Sequence, residues 1–409
     1  MNMQKKRILI VSKAFDIGGI ESALVNMANE LQKYYQVELF VYDPTGPMKE
    51  RLREDVIVLE PSWRLRAIGM PLRAALKSKD LSIILFRIFS TIWTKLVSNR
   101  LPIEMAIRRQ DQLTGYDLAV SFHQEMGRHT TASGFSRVVD RCVEAKRKVA
   151  WLHYDHDVLD LDSGYNMPFY EKMDRIVCVS RSLRDSFAAK YPHFMDKTDF
   201  CYNFIDYPAL EERSAKRQRV SYPSRGIICF SACRLAKEKA LVRMIRCTAP
   251  VFQAHPEMLW YIAGDGPERG NIESIVSQTG LERQIILLGN QENPYPYMKN
   301  ADLLLNVSYH EAAPMVFLEA KALGTPVFAT KTSSAEELLK DPACAFICEN
   351  SEEGIYEMFR FLAENPAEIA DAKSALRGCT AGNAQSLSKM ESWLTDCVLC
   401  CLPVKSHGK

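Results

Sequence analysis

Residues 303–329, LLLNVSYHEAAPMVFLEAKALGTPVFA, decide how the chain is read. Leu303 to Val307 is an apolar run of the length of a buried parallel strand, and Val316 to Leu323 carries an apolar helical face that Gly324 and Pro326 bring to an end. Pro314 suits the first helical turn, where its missing N–H is no loss, while Ala312 and Ala313 offer no side-chain oxygen to cap the amides that follow. Those amides, up to Met315, suit an anion, which the helix dipole also favours. Glu311 stands in the loop and Glu319 about a turn and a half into the helix. Two carboxylates beside an anion site repel it unless they accept hydrogen bonds from neutral hydroxyls, such as those of a ribose or hexose. In isolation the pair also reads as a solvated loop acid and a surface helix acid.

The surrounding chain has 409 residues, 47% of them hydrophobic, and a formal net charge of +2. That is long enough for two cores, and it lacks the strongly basic balance of a general nucleic-acid binder. The twelve cysteines begin only at Cys142 and are scattered, and MNMQKKRILIVS runs straight into a strand, so a reduced, cytoplasmic setting is expected. Cys397, Cys400 and Cys401 lack a fourth zinc ligand at suitable spacing and read as thiols. No apolar segment reaches the roughly 18 to 20 residues of a spanning helix.

Toward the N-terminus, Arg7 to Val11 reads as a central strand, followed by Gly18-Gly19 and a helix from Glu21 to Gln32. This βαβ opening brings backbone close to a ligand at the strand's carboxyl end, yet it lacks G-x-G-x-x-G, which disfavours a nicotinamide enzyme. Between Arg64 and Arg109 ten Lys or Arg face only Asp80 and Glu104, with apolar residues and Trp93 interleaved. Such a stretch suits either the surface of an anionic membrane or a packed helical insertion with basic edges. Further strands are read at Asp117 to Phe122, Lys148 to Leu152 and Arg175 to Ser180. His153 falls at a strand's carboxyl end, where α/β folds place ligands; His123 and His156 are alternatives to it. Asp155 and Asp157 have the spacing of a hard-cation site.

Residues 207–225 are polar, basic and flanked by prolines, as a linker would be. A second α/β pattern starts at Gly226 to Phe230, and Arg234 and Lys239 follow that strand. Two fixed cations there could hold a diphosphate and stabilise the charge growing on it as a sugar departs, though solvated cations have the same spacing. Gly264-Asp265-Gly266-Pro267 is a turn by composition, and helices are expected from Ser351 to Asn365 and from Ala367 to Leu402.

The glutamates eight apart, with the small-residue loop, Pro314 and LEAKALGTPV, resemble the E-x7-E element of the retaining glycosyltransferases of the GT-B fold, family 4. Gly18-Gly19-Ile20-Glu21 is similar to that family's GG-x-E turn, and Trp151, His153 and Asp155 to its W-x-H-x-D element. Asn203 to Asp206 resembles its N-x-[IV]-D, and Arg234 with Lys239 its G-R-L-x(3-4)-K-G. The turn at Gly264 is similar to its largely architectural G-x-G-P, and Asn293 to Lys299 to the segment over the nucleobase in polysaccharide-assembly members. Cys233, Ala240 and Ala312 depart from the family, standing where glycines are usual.

The resemblance implies an α/β chain of two doubly wound Rossmann-like domains facing across a cleft: residues 1–206 on the acceptor side, a linker at 207–225, and a nucleotide-sugar domain at 226–389. A final helix at about 390–409 would cross back to the first domain. A nucleotide diphosphate sugar, expected to be a UDP-sugar, would meet Glu319 with its ribose and Arg234 and Lys239 with its diphosphate. Gly18 and Gly19 would approach that diphosphate from the first domain. Glu311 and the backbone of Ala312, Ala313, Pro314 and Met315 would lie near sugar hydroxyls, with His153 facing the reaction centre. The catalytic set so implied is Glu311, Arg234, Lys239 and His153, and no metal is required if cations carry the charge; the metal-binding D-x-D belongs to a different glycosyltransferase fold. The acceptor would be a glycan or a lipid-linked sugar in cell-surface polysaccharide assembly, reached at the inner face of the membrane, with anomeric configuration retained by front-face attack. No carboxylate pair flanking a glycosidic bond can be argued, which disfavours a glycosidase. Two rivals remain: another GT-B enzyme, such as a phosphorylase or sugar-nucleotide epimerase, and a catalytically weak nucleotide-sugar-binding protein of the same fold.

Overall fold

The structure, a computed structural model, describes residues 5–154, 163–217, 221–223, 226–340, 344–377 and 382–395. The chain divides into two compact units, Met1–Phe204 with Asn383–Lys409, and Ile205–Gly382. The first holds β1 (Arg7–Ala14), β2 (Gln36–Asp43), β3 (Ile57–Leu59), β4 (Leu113–Ser121), β5 (Val143–Leu152), β6 (Arg175–Cys178) and β7 (Thr198–Phe200). They form one parallel sheet in the order β3-β2-β1-β4-β5-β6-β7. Ile8, Leu9, Ile10 and Val11 of β1 are all fully buried, because a parallel sheet is covered by helices on both faces and its central strand has no wet side.

The second unit repeats the plan with β8 (Ile228–Ala232), β9 (Leu259–Ala263), β10 (Ile285–Gly289), β11 (Leu303–Asn306), β12 (Val327–Thr330) and β13 (Ala345–Cys348), in the order β10-β9-β8-β11-β12-β13. Its two faces are filled by alternate residues of each strand. Leu303 and Leu305 join Cys229, Trp260 and Ile262 in one core, while Leu304 joins Ile228, Phe230 and Tyr261 in the other. In both sheets the chain builds outward on one side and then returns to the other, so the strand order reverses between β1 and β4 and between β8 and β11. Ligands of open α/β sheets bind outside the carboxyl ends of the strands at such a reversal.

Three expectations need correction. Residues 207–225 are not only linker: Tyr207–Ser214 is a helix of the second unit, packed on the helices Tyr295–Asn300 and Met315–Leu323. Asp206 caps it by accepting from the Ala209 amide at 3.3 Å, and a proline in its first turn costs no hydrogen bond. Within the described residues the expected long terminal helix is two helices, Pro366–Leu376 in the second unit and Ala384–Thr395 in the first, with Gly378 and Gly382 in the sequence between them; residues 396–409, with Cys397, Cys400 and Cys401, lie outside the described residues. The second of these is fixed to the first unit from its opening turn: Ser386 donates to the Tyr202 carbonyl, Lys389 pairs with Asp199 at 2.6 Å and Trp393 packs edge-on to Trp151. Finally, Pro314 takes the cap position before the helix Met315–Leu323 rather than its first turn.

The basic stretch contains an inverted helix. Leu81–Leu96 buries Ile83 and Phe86 together with Arg87, Ser90 and Thr94, while Leu81, Leu85, Ile88, Ile92 and Leu96 lie along its outer face, with Leu81 66% and Leu96 78% exposed. No helix among the described residues is long and apolar enough to cross a membrane.

Candidate functional site

The site of the second unit lies at the reversal between β8 and β11. Lys239 follows β8 in a short 3-10 turn, and Glu311 follows β11. Their side chains meet at 2.6 Å and are mostly buried, Lys239 23% and Glu311 10% exposed. Burial alone would lower the Lys239 ammonium; the charge and hydrogen bond of Glu311 outweigh it and hold the pKa above the ordinary lysine range. Glu311 also accepts from the Ser308 hydroxyl at 2.6 Å and from the Asn306 amide at 3.4 Å, and its carbonyl accepts from the Ser334 hydroxyl at 2.9 Å. A carboxylate held at that many points is oriented before any ligand arrives.

The loop carrying it is braced from behind. The buried Arg243 donates to the Val307 carbonyl at 2.8 Å and to Asn350 at 2.7 Å, with its guanidinium 4.2 Å from the Tyr309 ring centre. Asn350 in turn donates to the Tyr309 carbonyl at 3.1 Å. Arg234 faces outward: its side chain is 69% exposed and pairs with Glu238 at 2.9 Å. A solvated i,i+4 pair of this kind contributes little to stability, so Arg234 can change partners at small cost.

Glu319, 8% exposed, accepts from the Tyr295 hydroxyl at 2.9 Å. No side chain caps the helix Met315–Leu323 on which it stands, and Ala312, Ala313 and Pro314 are half-buried at its entrance. The structure therefore joins Lys239 to Glu311 directly and sets Arg234 and Glu319 on the neighbouring loop and helix. Sequence reading missed Asn306, Ser308 and Tyr295. The polar residues at the end of an apolar strand, Asn306-Val307-Ser308, were the available signal for the first two.

Two glycines shape the loop that bears Arg234. Gly264 has φ +140°, and a Cβ there would overlap the Cys233 carbonyl oxygen; one on Gly266 would overlap the carbonyl of Leu235. The Leu235 amide donates to the Asp265 carbonyl at 3.0 Å, so the two turns lie backbone to backbone. Cys233 is an inert thiol here, pushed up to about 12 by burial. Ala240 adopts φ 52°, ψ 27° at the cap of the helix Leu241–Ala254, the left-handed conformation that glycine takes without cost. Ala240→Gly is accordingly expected to stabilise the protein by about 1 kcal/mol, read as a higher urea midpoint with an unchanged slope.

In the first unit, Gly18 caps the helix Gly19–Gln32 at the end of β1 in extended conformation, and Glu21 lies against it. Burial raises the Glu21 carboxyl pKa, opposed by its own backbone amide and by Lys13. His153 is buried just after β5. Its Nε2 is 2.8 Å from the Phe122 carbonyl, which fixes the tautomer as Nε2–H, and its amide donates to Gln124 at 2.8 Å. Burial lowers its pKa to about 4, with the Phe122 bond acting the other way, so the ring is neutral at pH 7. His123, after β4, is pushed down to about 3, by burial first and then by His153 and Lys13. His156, Asp155 and Asp157 lie outside the described residues.

Two such units, alike in the order of six strands with β7 an additional edge strand of the first, constitute the GT-B fold. The solved structure of Alr3699/HepE from Anabaena in complex with UDP and glucose aligns with a TM-score of 0.67 at 16% identity, covering 96% of this chain and 100% of that one. Residues 212–376, which hold Arg234, Lys239, Glu311 and Glu319, match the family described as Glycosyl transferases group 1. The chain is 28% identical to the N-acetyl-alpha-D-glucosaminyl L-malate synthase of Bacillus anthracis over 44% of its own length and 47% of that protein. It is 24% identical to the lipopolysaccharide core biosynthesis glycosyltransferase LpsD of Rhizobium meliloti over 50% of its length and 58% of that protein. The matches thus span about half the length of these curated relatives.

Proposed function

We propose that the protein is a retaining glycosyltransferase of family 4, moving a hexosyl unit from a nucleotide diphosphate sugar to a glycan or lipid-linked acceptor in cell-surface polysaccharide synthesis. The observation that carries this reading is the Lys239–Glu311 pair at the β8/β11 reversal, with Glu319 on the adjoining helix. An incoming diphosphate takes the place of Glu311 at Lys239 and draws in Arg234; the carboxylate so released accepts from sugar hydroxyls, beside the backbone of Ala312, Ala313 and Met315. Glu319 holds the ribose. As the glycosidic bond breaks, negative charge grows on the leaving diphosphate, where a fixed cation in a largely dry site stabilises it more than the ground state. The two cations supply this charge without a metal, and a UDP-sugar is the expected donor. His153, neutral and held by Phe122, has a proton to donate toward a carbonyl but no positive charge to set against a diphosphate, so its part is orientation near the reaction centre.

The test is product analysis with UDP-, GDP- and ADP-hexoses and a lipid-linked glycan acceptor. Free nucleoside diphosphate appearing only with acceptor, and a product whose anomeric configuration matches the donor's, supports the proposal; a product of inverted configuration overturns it. The left-handed Ala240 favours a second reading, a nucleotide-sugar-binding protein without transfer, for which donor binding would occur with no diphosphate released.

The lipid-linked acceptor is supported by the inverted helix. Five aliphatic side chains along the outside of Leu81–Leu96, with exposed Arg73, Lys77, Lys79, Lys95 and Arg100 nearby in sequence, match an anionic bilayer surface in both polarity and charge. Leu85→Asp with Ile92→Asp is expected to weaken binding to phosphatidylglycerol vesicles by about tenfold or more, while leaving the melting temperature unchanged. Equal sedimentation of both proteins with the vesicles would contradict it.

A further inference from the structure

Resting on the donor reading above, we infer that Tyr295, steadied by Arg213, is the positioning residue that aims the Glu319 carboxylate at the ribose of the donor. Glu319 stands on the second turn of a helix with its side chain nearly buried, and a glutamate has three side-chain torsions to fix before it can accept from two adjacent hydroxyls. The Tyr295 hydroxyl donates to one of its oxygens at 2.9 Å. A bond from a buried tyrosine to one carboxylate oxygen restricts the side-chain torsions and so sets the direction in which the carboxylate presents its acceptor positions.

Tyr295 is itself held. Its ring is buried, and the Arg213 guanidinium lies 4.8 Å from the ring centre. Arg213 donates to the Glu292 carbonyl at 2.9 Å, and the Arg213 carbonyl accepts from the Asn293 amide at 2.8 Å. Arg213 of the helix Tyr207–Ser214 thus holds two consecutive residues, Glu292 and Asn293, of the segment leading into Tyr295. Lys299, on the same short helix as Tyr295, donates to the Ser214 hydroxyl at 3.2 Å. A segment with the composition of a linker serves as the buttress of a ligand-holding carboxylate, which explains why a polar, charged octapeptide is packed against the helix of Glu319.

The inference is tested by calorimetric titration of the full chain, wild type and Tyr295→Phe, with UDP and with 2′,3′-dideoxy-UDP. Tyr295→Phe keeps the ring and its contact with Arg213 and removes only the hydroxyl. It is expected to weaken UDP binding by about tenfold, the worth of a hydrogen bond to a charged group, and to leave the dideoxy analogue's affinity unchanged, since that ligand has no hydroxyls for Glu319 to accept. In steady state the donor KM rises with kcat within about twofold, because ribose contacts are made equally in ground and transition states. Equal loss for both nucleotides marks a merely structural tyrosine and overturns the inference, as does unchanged UDP affinity. If the wild-type protein binds UDP and the dideoxy analogue equally well, Glu319 does not hold the ribose and the donor reading itself fails with it.

Discussion

Lys239→Ala is expected to lower kcat at saturating donor by about 100-fold or more, the scale of losing one stabiliser of a developing oxyanion. The lysine is nearly buried, its charge is secured by Glu311, and it stands at the strand reversal where the leaving diphosphate is proposed to lie. Removing it strands the Glu311 carboxylate with Ser308 and Asn306 as its remaining partners, so some loss of stability accompanies the loss of rate. The double variant Lys239→Met with Glu311→Gln isolates the stability effect: it removes the unpaired charge and is expected to restore the melting temperature toward wild type, while the rate effect is read from Lys239→Ala alone at a temperature well below its melt. A kcat within threefold of wild type in Lys239→Ala would remove the lysine from the catalytic set.

The other large effect is structural. Gly264→Ala forces a Cβ into the Cys233 carbonyl at a φ of +140° that side chains rarely adopt, so the turn or the Arg234 loop must move. A cost of about 3 kcal/mol is expected, which for a unit of this size lowers its melting temperature by roughly 6 to 12 °C. Donor affinity falls with it, because the displaced segment, Cys233 to Leu235, carries Arg234. Thermal melting with and without UDP measures both, and a melt within a degree of wild type would show that the backbones are not pressed together as described.

The fold was legible because buried parallel strands write themselves as continuous apolar runs. ILIV at Ile8 to Val11 and LLLNV at Leu303 to Val307 are each long enough to see and are bounded by loops. The edge strands Ile57–Leu59, Thr198–Phe200 and Ala345–Cys348 passed unseen, since three or four residues against one neighbour leave no period to detect. Tyr207–Ser214 was hidden by its charge, although Asp206 followed by Pro208 is a helix start that composition alone overrides. For Leu81–Leu96, apolar residues on both faces made the helix plain and its orientation unreadable; only burial reveals that Arg87 faces inward and Leu85 outward. At the site, the resemblance to the E-x7-E and G-R-L-x(3-4)-K-G elements pointed to Glu311, Glu319, Arg234 and Lys239, which spacing alone left as solvated side chains. It could not reveal that Lys239 rests on Glu311, or that Tyr295 reaches Glu319, because both contacts join segments far apart in the chain.

The central claim is that Lys239 exchanges Glu311 for a diphosphate while Glu319 keeps the ribose. A crystal structure of the protein grown with UDP tests it most directly. The account predicts a phosphate oxygen within hydrogen-bond distance of Lys239 Nζ, the Lys239–Glu311 contact opened, and both ribose hydroxyls on the Glu319 carboxylate. A bound UDP with its phosphates away from Lys239, or with its ribose on groups other than Glu319, would contradict it.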